Sequence, residues 1–328
     1  MRIFNFLFFC LLCFGLLPAA GETNQFDFPP VSTYSIIAYD SVTGQFGGAV
    51  QSHYFKVADV IWLEPAVGAV ATQSLVDFAY GPLGLEMMQK GKTARQALDG
   101  LLASDPKNDV RQVAMIDKDG VIAVHTGDNC IAEAGHQVGA NYSVQANLMR
   151  NATVWGAMAE AFESTEGDLA EKMMAALEAA EREGGDIRGR QSAAMAVVSG
   201  EPTGRIWNDR IVDIRVDDSP EPLKELRRLL NILRAYRHMD KGDEYIAAGE
   251  FDLAEKEYSR AAELAPGNPE IEFWYAVTLV EADQLERALP IFKKVFEVDE
   301  SWRELVPRLV QPGFLPDDKE ILARITEQ

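Results

Sequence analysis

The sequence predicts an α+β fold in which helices cover antiparallel or mixed sheets, followed by a smaller region made only of helices. Segments with a strand period and segments with a helical period come in groups and do not alternate strictly, as βαβ units would require. Beyond residue 238 the strand pattern stops and a helical repeat begins. With 328 residues and 47% apolar composition, the chain is long enough to bury a substantial core.

Residues 1–21 are predicted to be a secretory signal peptide. "MRIFNFLFFCLLCFGLLPAA" holds one arginine, an uninterrupted apolar run and small residues suited to cleavage near Ala20 or Gly21. An uncleaved membrane anchor is the alternative, although the run is short for a full span. We therefore expect residues 22–32 to form a linker. We also expect a periplasmic or secreted protein with no stable membrane span after cleavage.

Two strand pairs are predicted next. "TYSIIAYD" and "QFGGAVQSHY" are rich in β-forming residues and are joined by "SVTG", where Gly44 suits a turn. "DVIWLEP" and "VGAVATQS" follow as the second pair. The small residues of "VGAVATQS" would allow a backbone or a ligand to approach closely.

The middle of the chain predicts two helix pairs and more strands. "YGPLGLEMMQKG" and "TARQALDGLLAS" have helical periods, and Thr93 and Gln96 have the spacing of a capping box. "RQVAMIDKDGVIAVHTG" predicts a hairpin, and 136–146 predicts one extended segment. Helices are then expected at 152–163 and 167–183.

Two further strands and a long helix end this part of the chain. "QSAAMAVVS" and "RIVDIRVDD" read as strands, and "PEPLKELRRLLNILRAYRH" predicts a helix with a proline near its start. Hairpins grouped in this way favour antiparallel sheets covered by helices.

The helical region 239–328 resembles tetratricopeptide repeats over about 239–310. "AGEFDLAEKEYSRAAELAPGNPE" aligns with "ADQLERALPIFKKVFEVDESWRE" at a spacing of about 34 residues, which places Ala254 on Ala288 and Tyr258 on Phe292. "IEFWYAVTLVEA" supplies the helix between them. Since two copies are few, we expect this unit to pack against the main domain or a partner. The partner would be a protein or a component of the cell envelope.

Composition and motifs exclude several classes of function. The formal charge of −20 would repel nucleic acid or an anionic membrane surface. The four histidines lack the spacing of a metal site, and Walker, G-x-G-x-x-G and G-x-S-x-G motifs are absent from the sequence. We expect neither a metal nor a cofactor.

Three polar clusters are candidates for a site. "GANYSVQANLM" would place its polar side chains on one strand face, "GGDIRGRQSAA" lies at a helix-to-strand junction, and "DIRVDD" alternates charges. Each has an alternative interpretation: amides that satisfy one another, an ion pair that braces a loop, or a solvated strand face. The residues are Asn141, Ser143, Gln145, Asn147; Asp186, Arg188, Arg190, Gln191, Ser192; Asp213, Arg215 and Asp217.

A series of motifs along 33–238 occurs in a fixed order: "TYSIIAYD", "VGAVATQS", "YGPLGLEMMQKG", "RQVAMIDKDG", "TG", "AGH", "VQANLM", "GGDIRGRQSAA" and "IRVDDSPEPLKELRRLL". In these motifs the stretch resembles the DUF1028 family, which belongs to the N-terminal-nucleophile (Ntn) hydrolase superfamily. The resemblance implies a four-layer αββα sandwich and a Thr, Ser or Cys nucleophile exposed as residue one, whose own α-amine is the base.

By this resemblance Thr33 is the nucleophile for a small amide or peptide-like substrate. The strand end Gly68–Gln73, with Thr72 and Gln73, is the candidate for oxyanion donors, and Gln51 and Ser52 would support the nucleophile. The residues expected to contact substrate are Asn141, Gln145, Asn147, Asp186, Arg188 and Gln191.

One departure bears on this hypothesis. Signal cleavage near Gly21 leaves residues 22–32 ahead of Thr33, so a second cut between Ser32 and Thr33 is needed to free the amine. Without that cut, Thr33 is an ordinary β-former that opens a strand. The chain would then be a non-catalytic envelope protein that binds partners through the sandwich and the repeats.

Overall fold

The computed structural model describes residues 33–328. The predicted signal peptide and linker at 1–32 lie outside the described residues, and so does the predicted cleavage. Ten strands and four main helices form the first part of the described chain. They are β1 (Thr33–Tyr39), β2 (Phe46–Ser52), β3 (Ile61–Glu64), β4 (Gly68–Ser74), α1 (Tyr80–Gln89), α2 (Ala94–Ser104), β5 (Arg111–Asp117), β6 (Ile122–Thr126), β7 (Gly135–Val138), β8 (Tyr142–Asn147), α3 (Val154–Ser164), α4 (Leu169–Arg182), β9 (Ser192–Val198) and β10 (Arg210–Val216), with a short helix α5 (Ile206–Asp209) before β10.

Two antiparallel sheets pack face to face. The larger has six strands in the order β10-β9-β2-β1-β8-β7, and the smaller has four in the order β3-β4-β5-β6. Helices α1 and α2 cover the smaller sheet, while α3 and α4 cover the larger one. The predicted four-layer αββα sandwich is therefore the observed fold.

Alternation along β1 sorts its side chains between two environments. Tyr34 and Ile36 are buried in the core under α3 and α4. Ile37 is buried between the sheets against Ala69 and other small residues. Thr33 and Ser35 share the face of Ile37, so the inter-sheet layer becomes polar at the end where β1 begins.

Local signals account for several element boundaries. The Thr93 side chain accepts the Gln96 N–H at 3.2 Å, and the Gln96 side chain accepts the Thr93 N–H at 3.1 Å, which is the predicted capping box at the start of α2. Gly44 turns the first hairpin with a φ of 71°. The prediction of one extended segment at 136–146 was wrong: β7 and β8 form a hairpin there, closed by the Gly139 N–H donating to the Tyr142 carbonyl at 3.0 Å.

A long helix, α6 (Pro222–Ala247), joins the two parts of the protein. Leu226 and Leu230 in its first half are buried in the sandwich core, while Ala235 and Ile246 are buried in the C-terminal core. The division predicted between 33–238 and 239–328 falls inside this helix, and it stays a prediction.

The C-terminal region is helical, with a core of its own. It contains α7 (Phe251–Leu264), α8 (Pro269–Glu281), α9 (Leu285–Val298), α10 (Ser301–Leu305) and α11 (Lys319–Thr326). The aligned repeat positions Ala254, Ala288, Tyr258 and Phe292 are all buried, and the Tyr258 ring stacks on Tyr275 with centroids 4.1 Å apart. Within residues 33–328, none of the helices is both long and apolar enough to cross a membrane.

Candidate functional site

The candidate site is the polar end of the layer between the two sheets. Thr33 heads β1, which lies between β2 and β8, and the register places it opposite Ser52 on one side and Asn147 on the other. All three residues are buried. The two-sheet sandwich thus encloses a strand-initial threonine among polar neighbours.

Two side-chain amides hold the Thr33 carbonyl. Gln73 Nε2 on β4 donates to it at 3.2 Å, and Asn147 Nδ2 on β8 donates to it at 3.5 Å. Both amides also donate to Gln112 Oε1 on β5, at 2.7 Å and 3.1 Å. The start of β1 is therefore fixed from both sheets at once.

The network continues along the larger sheet. The Ser35 hydroxyl donates to Gln73 Oε1 at 2.6 Å and accepts from Gln145 Nε2 at 2.6 Å. The Ser143 hydroxyl donates to Gln145 Oε1 at 3.0 Å. Ser143, Gln145 and Asn147 thus share one strand face, as the alternation in the sequence predicts. Ser143 bonds to Gln145, whereas Asn147 bonds to Thr33 and Gln112.

Gln112 also links this buried network to the surface. Its Nε2 lies 2.9 Å from Thr126 Oγ1, which lies 2.8 Å from Nδ1 of His136, a surface residue whose ring is partly covered. Partial burial of the imidazole, reinforced by the nearby His125, lowers the pKa of His136. The neutral ring is therefore favoured, and its Nδ1 can accept the Thr126 hydroxyl proton.

Gln51 and Thr72 do not join Thr33. Gln51 pairs with Tyr34, whose face is covered by α3 and α4, and Thr72 alternates with Val70, which packs under α1 and α2. Both side chains are buried without a hydrogen-bond partner in the described part of the chain. The strand period directs them to the outer layers, away from the inter-sheet site. Their catalytic roles stay predictions.

The loop that contains Asp186 and Arg188 forms part of the rim of this end. Asp186 is buried, and its carboxylate accepts the His53 N–H at 3.0 Å and the Arg188 side chain at 2.9 Å. The Arg188 N–H also donates to Asp186 at 2.9 Å. This ion pair braces the loop against the residues that follow β2, which matches the bracing interpretation of the sequence.

Two other predicted contact residues lie apart from Thr33. Asn141 precedes β8 at the end opposite to Asn147, six residues away, or roughly 20 Å along an extended strand. The Gln191 side chain donates to Asp218 at 3.2 Å on the exposed side, while its backbone N–H donates to the Ser52 carbonyl at 3.2 Å.

Strained backbone flanks the site. Ser74 at the end of β4 has a φ of 73°, and Leu148 directly after β8 has a φ of 56°. Both are non-glycine residues in the left-handed region, where strain of order 1 kcal/mol or more is held by surrounding structure. The backbone thus takes a left-handed conformation at the ends of β4 and β8, next to the residues that contact Thr33.

The sequence argument missed Gln112, Ser35 and Thr126. Gln112 shares the period-two face of Ala114 and Ile116 in the predicted strand "RQVAMID", so a polar residue at an inward position was the available signal. Its partners come from distant segments and could not be deduced from that signal.

Other chemical candidates within residues 33–328 are weak. No group of His, Cys, Asp and Glu side chains in this range could hold a metal ion. Burial raises the pKa of the Cys130 thiol, which disfavours the thiolate. A cleft of about 560 Å³ lies between β3, β9, β10 and α1, and its lining includes Asp213 and Arg215 of the third predicted polar cluster but not Thr33.

Comparisons with known proteins agree with this architecture. A family model described as a family of unknown function, DUF1028, matches residues 33–226, and a tetratricopeptide repeat model matches 245–306. The crystal structure of a DUF1028 protein from Silicibacter pomeroyi is similar, with a TM-score of 0.55 and 28% sequence identity, over 61% of this chain and 88% of that chain. Among curated proteins, none matches this chain.

Proposed function

From the premise that this chain belongs to the DUF1028 family, we propose that it is a latent amidohydrolase with Thr33 as its N-terminal nucleophile. The matches confirm the family resemblance and the tetratricopeptide resemblance. The proposed activity rests on one observation, the placement of Thr33. It heads a central strand in a buried polar layer, and two side-chain amides hold its carbonyl.

The proposed reaction begins with a cut between Ser32 and Thr33. The freed α-amine has an unperturbed pKa of about 7.7–8.0, which suits proton transfer near neutral pH. It takes the proton of the Thr33 hydroxyl while the oxygen attacks an amide carbonyl of the substrate. Collapse of the tetrahedral intermediate breaks the C–N bond, and the leaving amine takes that proton. Water then hydrolyses the ester on Thr33 with the same amine as base.

The surroundings of Thr33 support this chemistry in two ways. The alternation of β1 directs the hydroxyl into the layer between the sheets, where the face shared with Ser52, Gln73 and Asn147 excludes bulk water. Hydrogen bonds to its carbonyl fix the residue that would become the chain terminus. A nucleophile held this way needs little rearrangement before attack.

The substrate we propose is a small amide or a peptide-like compound. The signal sequence expected at 1–21 supports a reaction in the periplasm or outside the cell. Proteolysis there would switch on a protein that is inactive while Thr33 carries a preceding residue.

The first experiment is the intact mass and N-terminal sequence of the full-length chain recovered from expressing cells. The proposal predicts a mature chain that begins at Thr33, hydrolyses amides from a small panel, and loses that activity in Thr33→Ala but not in Thr33→Ser. Thr43→Ala, in the exposed turn of the first hairpin, is the control. A chain that begins near Gly21, or unchanged turnover in Thr33→Ala, would contradict the proposal.

A second candidate is a non-catalytic binding protein of the cell envelope. It is favoured by a groove of about 710 Å³ between α7 and α9, over α8, lined in part by Tyr275 and Ile291. Peptides commonly bind such helical grooves through apolar and aromatic side chains. Ile291→Glu should then abolish capture of an envelope protein, while Val298→Glu, at an exposed position of α9, and Thr33→Ala should not. Capture that survives Ile291→Glu would refute groove binding.

A further inference from the structure

Two backbone carbonyls determine the orientation of the Gln112 amide. Its Nε2 donates to the carbonyl oxygens of Ala146 at 2.9 Å and Gly135 at 3.1 Å. A carbonyl oxygen can only accept a hydrogen bond, so the nitrogen of this amide must face these two atoms. The reverse orientation would place Gln112 Oε1 against two oxygens in a fully buried position.

This orientation determines that of two further amides. Because Gln112 Oε1 faces Gln73 and Asn147, each of them must present its nitrogen, at 2.7 Å and 3.1 Å. The same two nitrogens are the donors that reach the Thr33 carbonyl. The carbonyl oxygen of Gln73 consequently faces Ser35, which donates to it.

We propose that Gln112 is a positioning residue for Thr33. It is anchored on the backbone of β7 and β8 and fixes the two donors that hold the start of β1. The inference rests on the proposed function, since the position of Thr33 affects a rate only if Thr33 is the nucleophile. Gln112 acts through Gln73 and Asn147, and it makes no direct contact with the reacting atoms.

The need for such a residue follows from the proposed cut. Once the bond before Thr33 is broken, the residue keeps a covalent link on one side only. Its carbonyl is the first backbone group that can be held without engaging the amine that serves as base. Misplacement of a reacting group by about 1 Å can lower a rate on the order of a hundredfold. The two donors on that carbonyl restrict the terminus to one orientation.

The test compares Gln112→Met and Gln112→Glu with Gln137→Met, a control at an exposed glutamine of β7. Met keeps much of the side-chain length but has neither the donor nor the acceptor. Two measurements are made on the mature chain, which begins at Thr33 and keeps the C-terminal helical region. The crystal structure reports the bonds to the Thr33 carbonyl, and intact mass reports the rate at which a β-lactone acylates the Thr33 hydroxyl.

We expect Gln112→Met to lose the ordered bonds from Gln73 and Asn147 to Thr33, and to be acylated tenfold to a hundredfold more slowly, on the order expected for a misplaced nucleophile. Gln137→Met should match the wild type in both measurements. Either retained bonds, or lost bonds with an unchanged acylation rate, would overturn the proposal.

Gln112→Glu adds a readout that a packing role would not give. When protonated, the carboxylic acid can still donate to one backbone carbonyl and accept from Gln73 and Asn147; when ionised, it turns an anionic oxygen toward the carbonyl oxygens. We expect the wild-type bonds to return in crystals grown at acid pH and to be lost at neutral pH. Bonds that do not change with pH would contradict the orientation argument, and this variant decides the question if Gln112→Met does not fold.

Failure of the proposed function gives a different result. In that case the wild-type chain is not cut before Thr33, or the lactone does not label it. The crystal structures of the variants still decide whether Gln112 orients the two amides at the Thr33 carbonyl.

Discussion

Replacement of Gln73 by leucine tests the energetics of the inter-sheet network. The substitution keeps the side chain close in size and deletes three buried hydrogen bonds: Nε2 to the Thr33 carbonyl, Nε2 to Gln112 Oε1, and the Ser35 hydroxyl to Gln73 Oε1. Thr33 and Gln112 each keep a bond from Asn147, whereas the donor of Ser35 loses its partner. The three losses therefore differ in cost.

The magnitude follows from that difference. A lost bond whose acceptor keeps another donor costs about 0.5–1.5 kcal/mol, and a buried donor left without an acceptor costs about 1–3 kcal/mol. Two losses of the first kind and one of the second predict that Gln73→Leu lowers the free energy of unfolding of the sandwich by about 2–6 kcal/mol. This loss of stability is measured by urea unfolding monitored by circular dichroism.

The double variant makes the test specific. Ser35→Ala removes the hydroxyl that Gln73→Leu leaves without an acceptor, so the two substitutions should cost less together than the sum of their separate costs, by about 1–3 kcal/mol. Additive costs, or a loss below about 1 kcal/mol in Gln73→Leu alone, would refute the network described here.

Three further predictions concern packing, pH and the buried hydroxyl of Thr72. A Cβ at Gly81 would lie 2.1 Å from the Trp62 ring, so Gly81→Ala should destabilise the fold by about 1–3 kcal/mol. Gly156 lies in open space on α3, so Gly156→Ala should stabilise the fold by about 0.5–1 kcal/mol. Thermal unfolding of the two variants compares these effects. Partial burial lowers the pKa of His136, so the imidazole binds a proton more tightly in the unfolded chain than in the folded one. The free energy of unfolding should therefore fall as pH drops below about 6.5. Urea titrations should show a smaller fall in His136→Gln than in the wild type, and an equal fall would contradict this prediction. Thr72→Val removes a buried hydroxyl without a partner among residues 33–328, so the free energy of unfolding should stay the same or rise. The rate at which the lactone acylates the mature chain should not change. A slower acylation would place Thr72 in the mechanism.

The fold could be predicted from the sequence because its signals are local. Gly44 at a turn, Thr93 and Gln96 at a helix start, and the small and aromatic residues of the repeats each determine nearby backbone, and the structure places them as expected. The β7–β8 hairpin was missed because "GAN" at 139–141 is a short connection between two weak strands.

The site could be predicted only in part because it depends on which face of a strand meets the other sheet. Gln51 and Ser52 are adjacent in sequence and lie at the same end of β2, yet only Ser52 shares the face of Thr33. In the same way Gln73 joins the network and Thr72 does not. Assigning the faces requires the order of strands across two sheets, which no local pattern contains.

The composition of the inter-sheet layer bears on function independently of any resemblance. Away from Thr33 this layer is filled by apolar residues such as Ile37 and Ala69, which stabilise by burial alone. At the Thr33 end it holds amides and hydroxyls whose net contribution to stability is small, since folding exchanges their bonds with water for bonds with each other. A network of this kind adds little to the free energy of unfolding, but it favours one arrangement of its side chains over similar alternatives. Its bonds converge on the carbonyl of Thr33 from both sheets, and what they specify is the position of that residue.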